Sequence, residues 1–102
     1  MKQTKINIKA NKKIAQLWID NDIQFCEVCP VLYRLGHLDW GCLFASSNAH
    51  RNNRIWYYSH PERLWEFKQV VRACIPSHNF IDNEMPEIKE QVFIELRGEQ
   101  PH

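Results

Sequence analysis

Cys26-Glu27-Val28-Cys29 sets two thiols at a spacing that lets both sulfurs face one tetrahedral Zn²⁺. The same spacing suits a redox pair, but that chemistry needs a thioredoxin-like strand–helix context. Here Pro30 follows the second cysteine and no βαβ pattern surrounds it. A second half-site lies far along the chain, where Cys74-Ile75-Pro76-Ser77-His78 has the frame of Cys-x-x-Cys-His with serine at the second cysteine. A neutral, hard hydroxyl is a poor zinc ligand beside thiolate or imidazole. Three thiolates from Cys26, Cys29 and Cys74 still need one more group, and His78, Cys42 or water can fill the fourth position. The competing reading is that these cysteines are simply small buried hydrophobes.

Between the half-sites lies Ala49-His50-Arg51, with Arg54 just beyond. A histidine close to its ordinary pKa can take a proton from water near pH 7, and flanking arginines suit a phosphate. His78 and Asp82 stand four residues apart, so a helix there points both to one face. An imidazole and a carboxylate so placed can share a divalent metal with open, mixed N/O ligation. The plainer alternatives are a surface histidine at 50 and a local helix pair at 78 and 82. Trp40, Trp56, Tyr57, Tyr58, Trp65 and Phe67 can stack on bases. Core packing is the default for Trp56, Trp65 and Phe67, which leaves Trp40 and Tyr58 as surface aromatics for a protein partner.

These groups need elements to hold them. Asn11 is placed to cap a helix running to Asp20, with Ile14, Leu17 and Trp18 on one stripe. Residues 24–36 are broken by Cys26, Cys29, Pro30 and Gly36 and read as a knuckle and turn. Residues 41–46 read as a short strand, and 48–54 as polar loop or strand end. A helical pattern resumes at Pro61, a short helix fits 77–82, and Pro86 opens a last helix that Gly98 ends.

A chain of 102 residues is one domain at most, taken as residues 10–99 behind a basic tail, 1–9. Hydrophobic residues at 44% and charged residues at 25% exclude disorder across the whole chain. No apolar run approaches the roughly 18–20 residues of a membrane helix, and the N-terminal lysines lead into no signal peptide. The expected location is cytoplasmic, where four cysteines point to metal rather than disulfides. A domain this small often needs such a staple. The net charge of +1 hides an asymmetry: residues 1–81 hold 11 Lys and Arg against 6 acids, and residues 82–102 hold 2 against 6. A basic body of this kind is compatible with a nucleic-acid partner.

In this order the pieces resemble the HNH endonuclease family, in particular its small phage-type members. Similar members open with a helix before a Cys-x-x-Cys and continue with Ala-His-Arg, Arg-x-Trp-Tyr-Tyr, Leu-Trp-x-Phe and Cys-x-Pro-Cys-His. They close with a helix ending in Leu-Arg-Gly-Glu. This chain has Cys26–Cys29, Ala49-His50-Arg51, Arg54-Ile55-Trp56-Tyr57-Tyr58, Leu64-Trp65-Glu66-Phe67, Cys74–His78 and Glu95-Leu96-Arg97-Gly98-Glu99, so the resemblance spans residues 10–99.

The resemblance implies an α+β fold: a ββα-metal (HNH) core with zinc-ribbon-like knuckles and flanking N- and C-terminal helices. It implies metal-dependent hydrolysis of DNA phosphodiesters, with His50 as general base and Gln69 where many members have an asparagine that orients the base. His78 and Asp82 would hold Mg²⁺ or another divalent metal, and Cys26, Cys29 and Cys74 a structural Zn²⁺. Arg51 and Arg54 would bind the DNA backbone, in the host cytoplasm if the protein is phage-encoded. Three positions depart from the pattern. Ser77 replaces a thiolate, Ala49 stands where many members have a metal ligand, and Gln69 replaces the asparagine. Two alternatives follow from these departures: a catalytically inactive HNH-like zinc module that binds nucleic acid, and a small phage protein that modulates a host protein.

Overall fold

The computed structural model describes residues 2–37, 42, 45 and 47–99. Helix α1 (Lys2–Asp20) starts well ahead of the cap expected at Asn11. No glycine or proline interrupts this stretch, and alanine and lysine are strong helix formers. Residues 2–9 are therefore the first turns of this helix. Ala10, Ile14 and Trp18 recur every four residues and form its buried stripe. Ile14 and Trp18 pack on Val70, with Trp65 and Phe67 at the edge, and the Trp18 indole donates to Asn48 Oδ1 at 3.1 Å.

The knuckle expected at 24–36 contains a real helix, α2 (Val28–Arg34). Pro30 lies in its first turn, where a missing N–H costs no intrahelical bond. Val28, Cys29, Val31 and Leu32 are buried, and Gly36 leaves the helix at a φ of 79°, a conformation that glycine adopts without penalty.

Strand β1 (Ser47–His50) pairs antiparallel with β2 (Val70–Ala73), Ser47 opposite Ala73 and His50 opposite Val70. Pairing thus begins at Ser47, one residue before the stretch read as loop or strand end, and runs into it. The strand expected at 41–46 falls outside the described residues, apart from Cys42 and Ala45. The long connection between the strands is built of 3-10 turns at Arg54–Tyr57, Pro61–Trp65 and Phe67–Gln69. The helix expected from Pro61 stops after Trp65 because Glu66 is extended.

Helix α3 (Ile75–Asn79) follows β2 directly and runs on into a π turn, Phe80–Glu84. A 3-10 turn at Pro86–Ile88 leads into α4 (Lys89–Arg97), and Gly98 ends it at a φ of 84°. Among the described residues this is a small α+β fold of four α-helices and one two-stranded sheet. Its main core gathers Val28, Val31 and Leu32 of α2, Ala49, Val71 and Ala73 of the sheet, Ile81, and Val92 and Phe93 of α4. No described helix is long and apolar enough to cross a membrane.

Candidate functional site

Cys26 precedes α2, Cys29 lies in its first turn, Cys74 is the residue before α3, and Cys42 comes from the connection between α2 and β1. Their four Sγ atoms all lie within 4.8 Å of one another, and none is in a disulfide. A tetrahedron of ~2.3 Å Zn–S bonds has sulfurs roughly 3.8 Å apart. Cys29 and Cys74 stand at 3.5 Å, so the four sulfurs can hold a metal ion such as zinc. Two backbone N–H groups, of Cys29 and Cys74, point at Cys26 Sγ from 3.5 and 3.3 Å. Burial, followed by hydrogen bonds with Cys42 and Cys74, pushes the Cys29 thiol far up. A bound cation reverses that logic by deprotonating the thiols it binds.

Ser77 sits inside this cluster, its Oγ 3.2 Å from Cys74 Sγ and 3.5 Å from Cys26 Sγ. Its hydroxyl hydrogen is donated to the Cys74 carbonyl at 3.0 Å. His78 faces away from the sulfurs, toward Ser47 and Asp82. Of the candidates for the fourth position, the fold brings in Cys42.

The histidines belong to a separate cleft of about 740 Å³. His50 ends β1, His78 and Asp82 project from α3 and its π turn, and Lys89 opens α4. Asn7 and Asn11 of α1 and Asn48, Asn52 and Asn53 complete the polar wall. His50 Nε2 lies 2.8 Å from the Leu64 carbonyl. A carbonyl only accepts, so Nε2 carries the proton and Nδ1 is left with a lone pair. Burial lowers the His50 pKa below its ordinary value, the Leu64 bond opposes that, and Lys89 and His78 add to the lowering. The ring is therefore neutral at pH 7 and able to accept a proton at Nδ1.

His78 Nδ1 is 3.0 Å from Ser47 Oγ, whose own hydrogen goes to the Ala73 carbonyl at 2.9 Å. Ser47 must accept there, which fixes the His78 proton on Nδ1 and turns the other nitrogen to Asp82 Oδ2 at 2.8 Å. This sets an imidazole nitrogen and a carboxylate oxygen side by side, a pair of donors that can share a divalent cation. Hydrogen bonding of the far ring nitrogen is how metal-ligating histidines are held. Burial alone would raise the Asp82 carboxyl, but bonds from His78 and Lys89 outweigh it and hold the group below its ordinary value. Lys89 Nζ lies 2.6 Å from Asp82 Oδ1.

Gln69 is fully buried. Its Oε1 accepts from Asn52 Nδ2 at 2.9 Å and from the Tyr57 hydroxyl at 3.0 Å, and the Tyr57 ring meets the His50 ring edge-on at 5.6 Å. Gln69 thus reaches the His50 ring through Tyr57 instead of touching it.

The expected DNA-backbone contact of Arg51 is corrected. Its side chain is 0% exposed and forks onto Glu90, with Nη2 on Glu90 Oε2 and Nε on Oε1 at 2.8 Å. Further bonds run to the carbonyls of Lys68 at 3.3 Å and Gly98 at 2.9 Å. It latches α4 to the end of β1 and presents nothing to a phosphate. The Arg54 side chain and Trp40 lie outside the described residues, and Tyr58 is exposed at the cleft.

A second latch was not foreseen. Glu27, inside the Cys-x-x-Cys, accepts from Arg97 Nη2 at 2.6 Å and from the Arg72 N–H at 2.8 Å, and Arg97 also stacks on Phe67. Only an acid in the knuckle and an arginine near Gly98 hinted at it. The cleft asparagines of α1 carried no signal. Comparison of the chain with family models, curated proteins and solved structures finds no significant match to any of them.

Proposed function

We propose that this chain is a metal-dependent nuclease of HNH type, with β1, β2 and α3 as its ββα core. One observation carries the reading: His50, His78 and Asp82 come from the two ends of that strand–strand–helix unit and line one cleft. His78 Nε2 and the Asp82 carboxylate are the groups that would hold a divalent metal, since their contact already sets two such donors side by side. When bound, that ion supplies Lewis-acid stabilisation of charge developing on a phosphate. His50 Nδ1 takes the proton from an attacking water, its ring steadied by the Leu64 carbonyl and Tyr57. With Arg51 buried, the basic surface passes to α1, where Lys5, Lys9 and Lys12 are exposed and share a helix face. Asn7 and Asn11 of the same helix reach the cleft.

Nicking of supercoiled plasmid across Mg²⁺, Mn²⁺ and Ni²⁺ tests this, with His50→Ala as the control. Cleavage by the wild-type protein that disappears in His50→Ala supports it. Salt-sensitive DNA binding without cleavage would instead leave the inactive binding module. One observation favours that second reading: Lys89 already neutralises Asp82.

A further inference from the structure

We infer that Cys26, Cys29, Cys42 and Cys74 bind one structural Zn²⁺, with Cys42 supplying the thiolate that the Cys74-Ile75-Pro76-Ser77 half-site lacks. The inference is independent of the nuclease reading, because it concerns sulfurs that do not line the cleft. Position 77 is where a paired half-site would place its second thiol, and Ser77 Oγ does stand 3.2–3.5 Å from two of the sulfurs. Its oxygen is the wrong donor for zinc, and its hydrogen is engaged by the Cys74 carbonyl. Cys42 brings a fourth sulfur within 4.8 Å of the other three from outside both half-sites. The chain thus offers four sulfurs although one half-site lacks its second thiol.

The two kinds of ligand differ in setting. Cys26, Cys29 and Cys74 are buried and tied to α2 and α3, whereas Cys42 is exposed. Cys42 is thus the ligand that reaches the ion from the solvent side, and its bond would tie Cys42 to α2 and α3. The same four atoms leave room for a ligand at either position: a thiol at 77 would occupy the place of an oxygen already in contact with two sulfurs.

The experiment relocates the ligand. Full-length reduced protein is loaded with Zn²⁺ for metal analysis and chelator competition, and separately with Co²⁺, whose sulfur-to-metal charge-transfer absorption grows with the number of bound thiolates. The wild type should bind one ion per chain with the absorption of four thiolates. Cys42→Ser should keep the fold but show three, with affinity lowered by more than the roughly 10–100-fold that loss of an outer-shell partner costs. Cys42→Ser combined with Ser77→Cys should recover both the fourth thiolate and the lost affinity. No stoichiometric metal on the reduced wild-type protein overturns the site. A Cys42→Ser variant that matches wild type in affinity and absorption overturns the role of Cys42, and so does a double variant no better than Cys42→Ser.

Discussion

Replacing Arg51 with alanine separates a latch from a phosphate contact, because the two roles predict opposite observables. The guanidinium is fully buried and serves Glu90 and the carbonyls of Lys68 and Gly98. Breaking a buried ion pair costs roughly 3–5 kcal/mol. Glu90 is 48% exposed and can rehydrate, so its share is smaller. The two carbonyls lose bonds to a charged donor, each worth about 1.5–3 kcal/mol where water cannot replace it. Water that enters the space left by the side chain offsets part of this sum, which leaves a loss of about 2–4 kcal/mol, a large part of the roughly 5–15 kcal/mol that holds a small domain. The melting temperature should fall by roughly 10–30 °C at about 4–8 °C per kcal/mol. Urea unfolding with an unchanged m-value measures it, and Arg51→Lys should recover only part, since an ammonium cannot fork onto Glu90. A loss under about 1 kcal/mol, the range of exposed pairs, together with a DNA-binding salt slope reduced by roughly 0.9, would refute the latch.

The other expectations concern the cleft. His50→Ala should lower metal-dependent cleavage by about 10²–10⁴-fold, the usual cost of losing a general base, in a plasmid-nicking time course. Because burial sets the folded His50 pKa below its unfolded value of about 6.5, the unfolded chain binds more protons below that pH. Stability and rate should therefore both decline as pH falls from about 6.5 through the folded value, an effect absent in His50→Ala. Lys89→Met frees Asp82 from its lysine and should lower the divalent concentration for half-maximal cleavage; an unchanged metal requirement would count against Asp82 as a ligand. Gln69→Leu strips the acceptor from Asn52 and Tyr57 and should cost about 1–3 kcal/mol in urea unfolding.

Local chemistry made part of this structure legible in the sequence. The Cys-x-x-Cys spacing, the four-residue step from His78 to Asp82 and the stop at Gly98 are local rules, and each is met in the fold. What failed was whatever depended on distant partners. Arg51 reads as a phosphate ligand until Glu90, in another helix, is seen to claim it. Cys42 has no spacing relation to either half-site, so only tertiary structure selects it over His78. Asn11 looked like a cap because asparagine favours helix starts, yet nothing in residues 2–10 breaks the helix, and Asn11 lines the cleft instead.

The sulfur cluster and the histidine cleft are separate sites built on one short run of chain. Cys74 precedes α3 and His78 follows within its first turns, while Ser77 between them is packed among the sulfurs. On the opposite strand Ser47 accepts from His78 and donates to Ala73, the residue just before Cys74. Helix α3 itself spans only Ile75–Asn79, and an isolated helix that short does not persist in water. Its orientation must come from what grips its ends. The sulfurs hold the first turn, while Lys89 and His78 hold Asp82 in the π turn beyond. A fold with a two-stranded sheet and a five-residue helix can place an imidazole accurately only if those grips are stiff, which is the physical reason for a thiol cluster to adjoin the helix that carries His78.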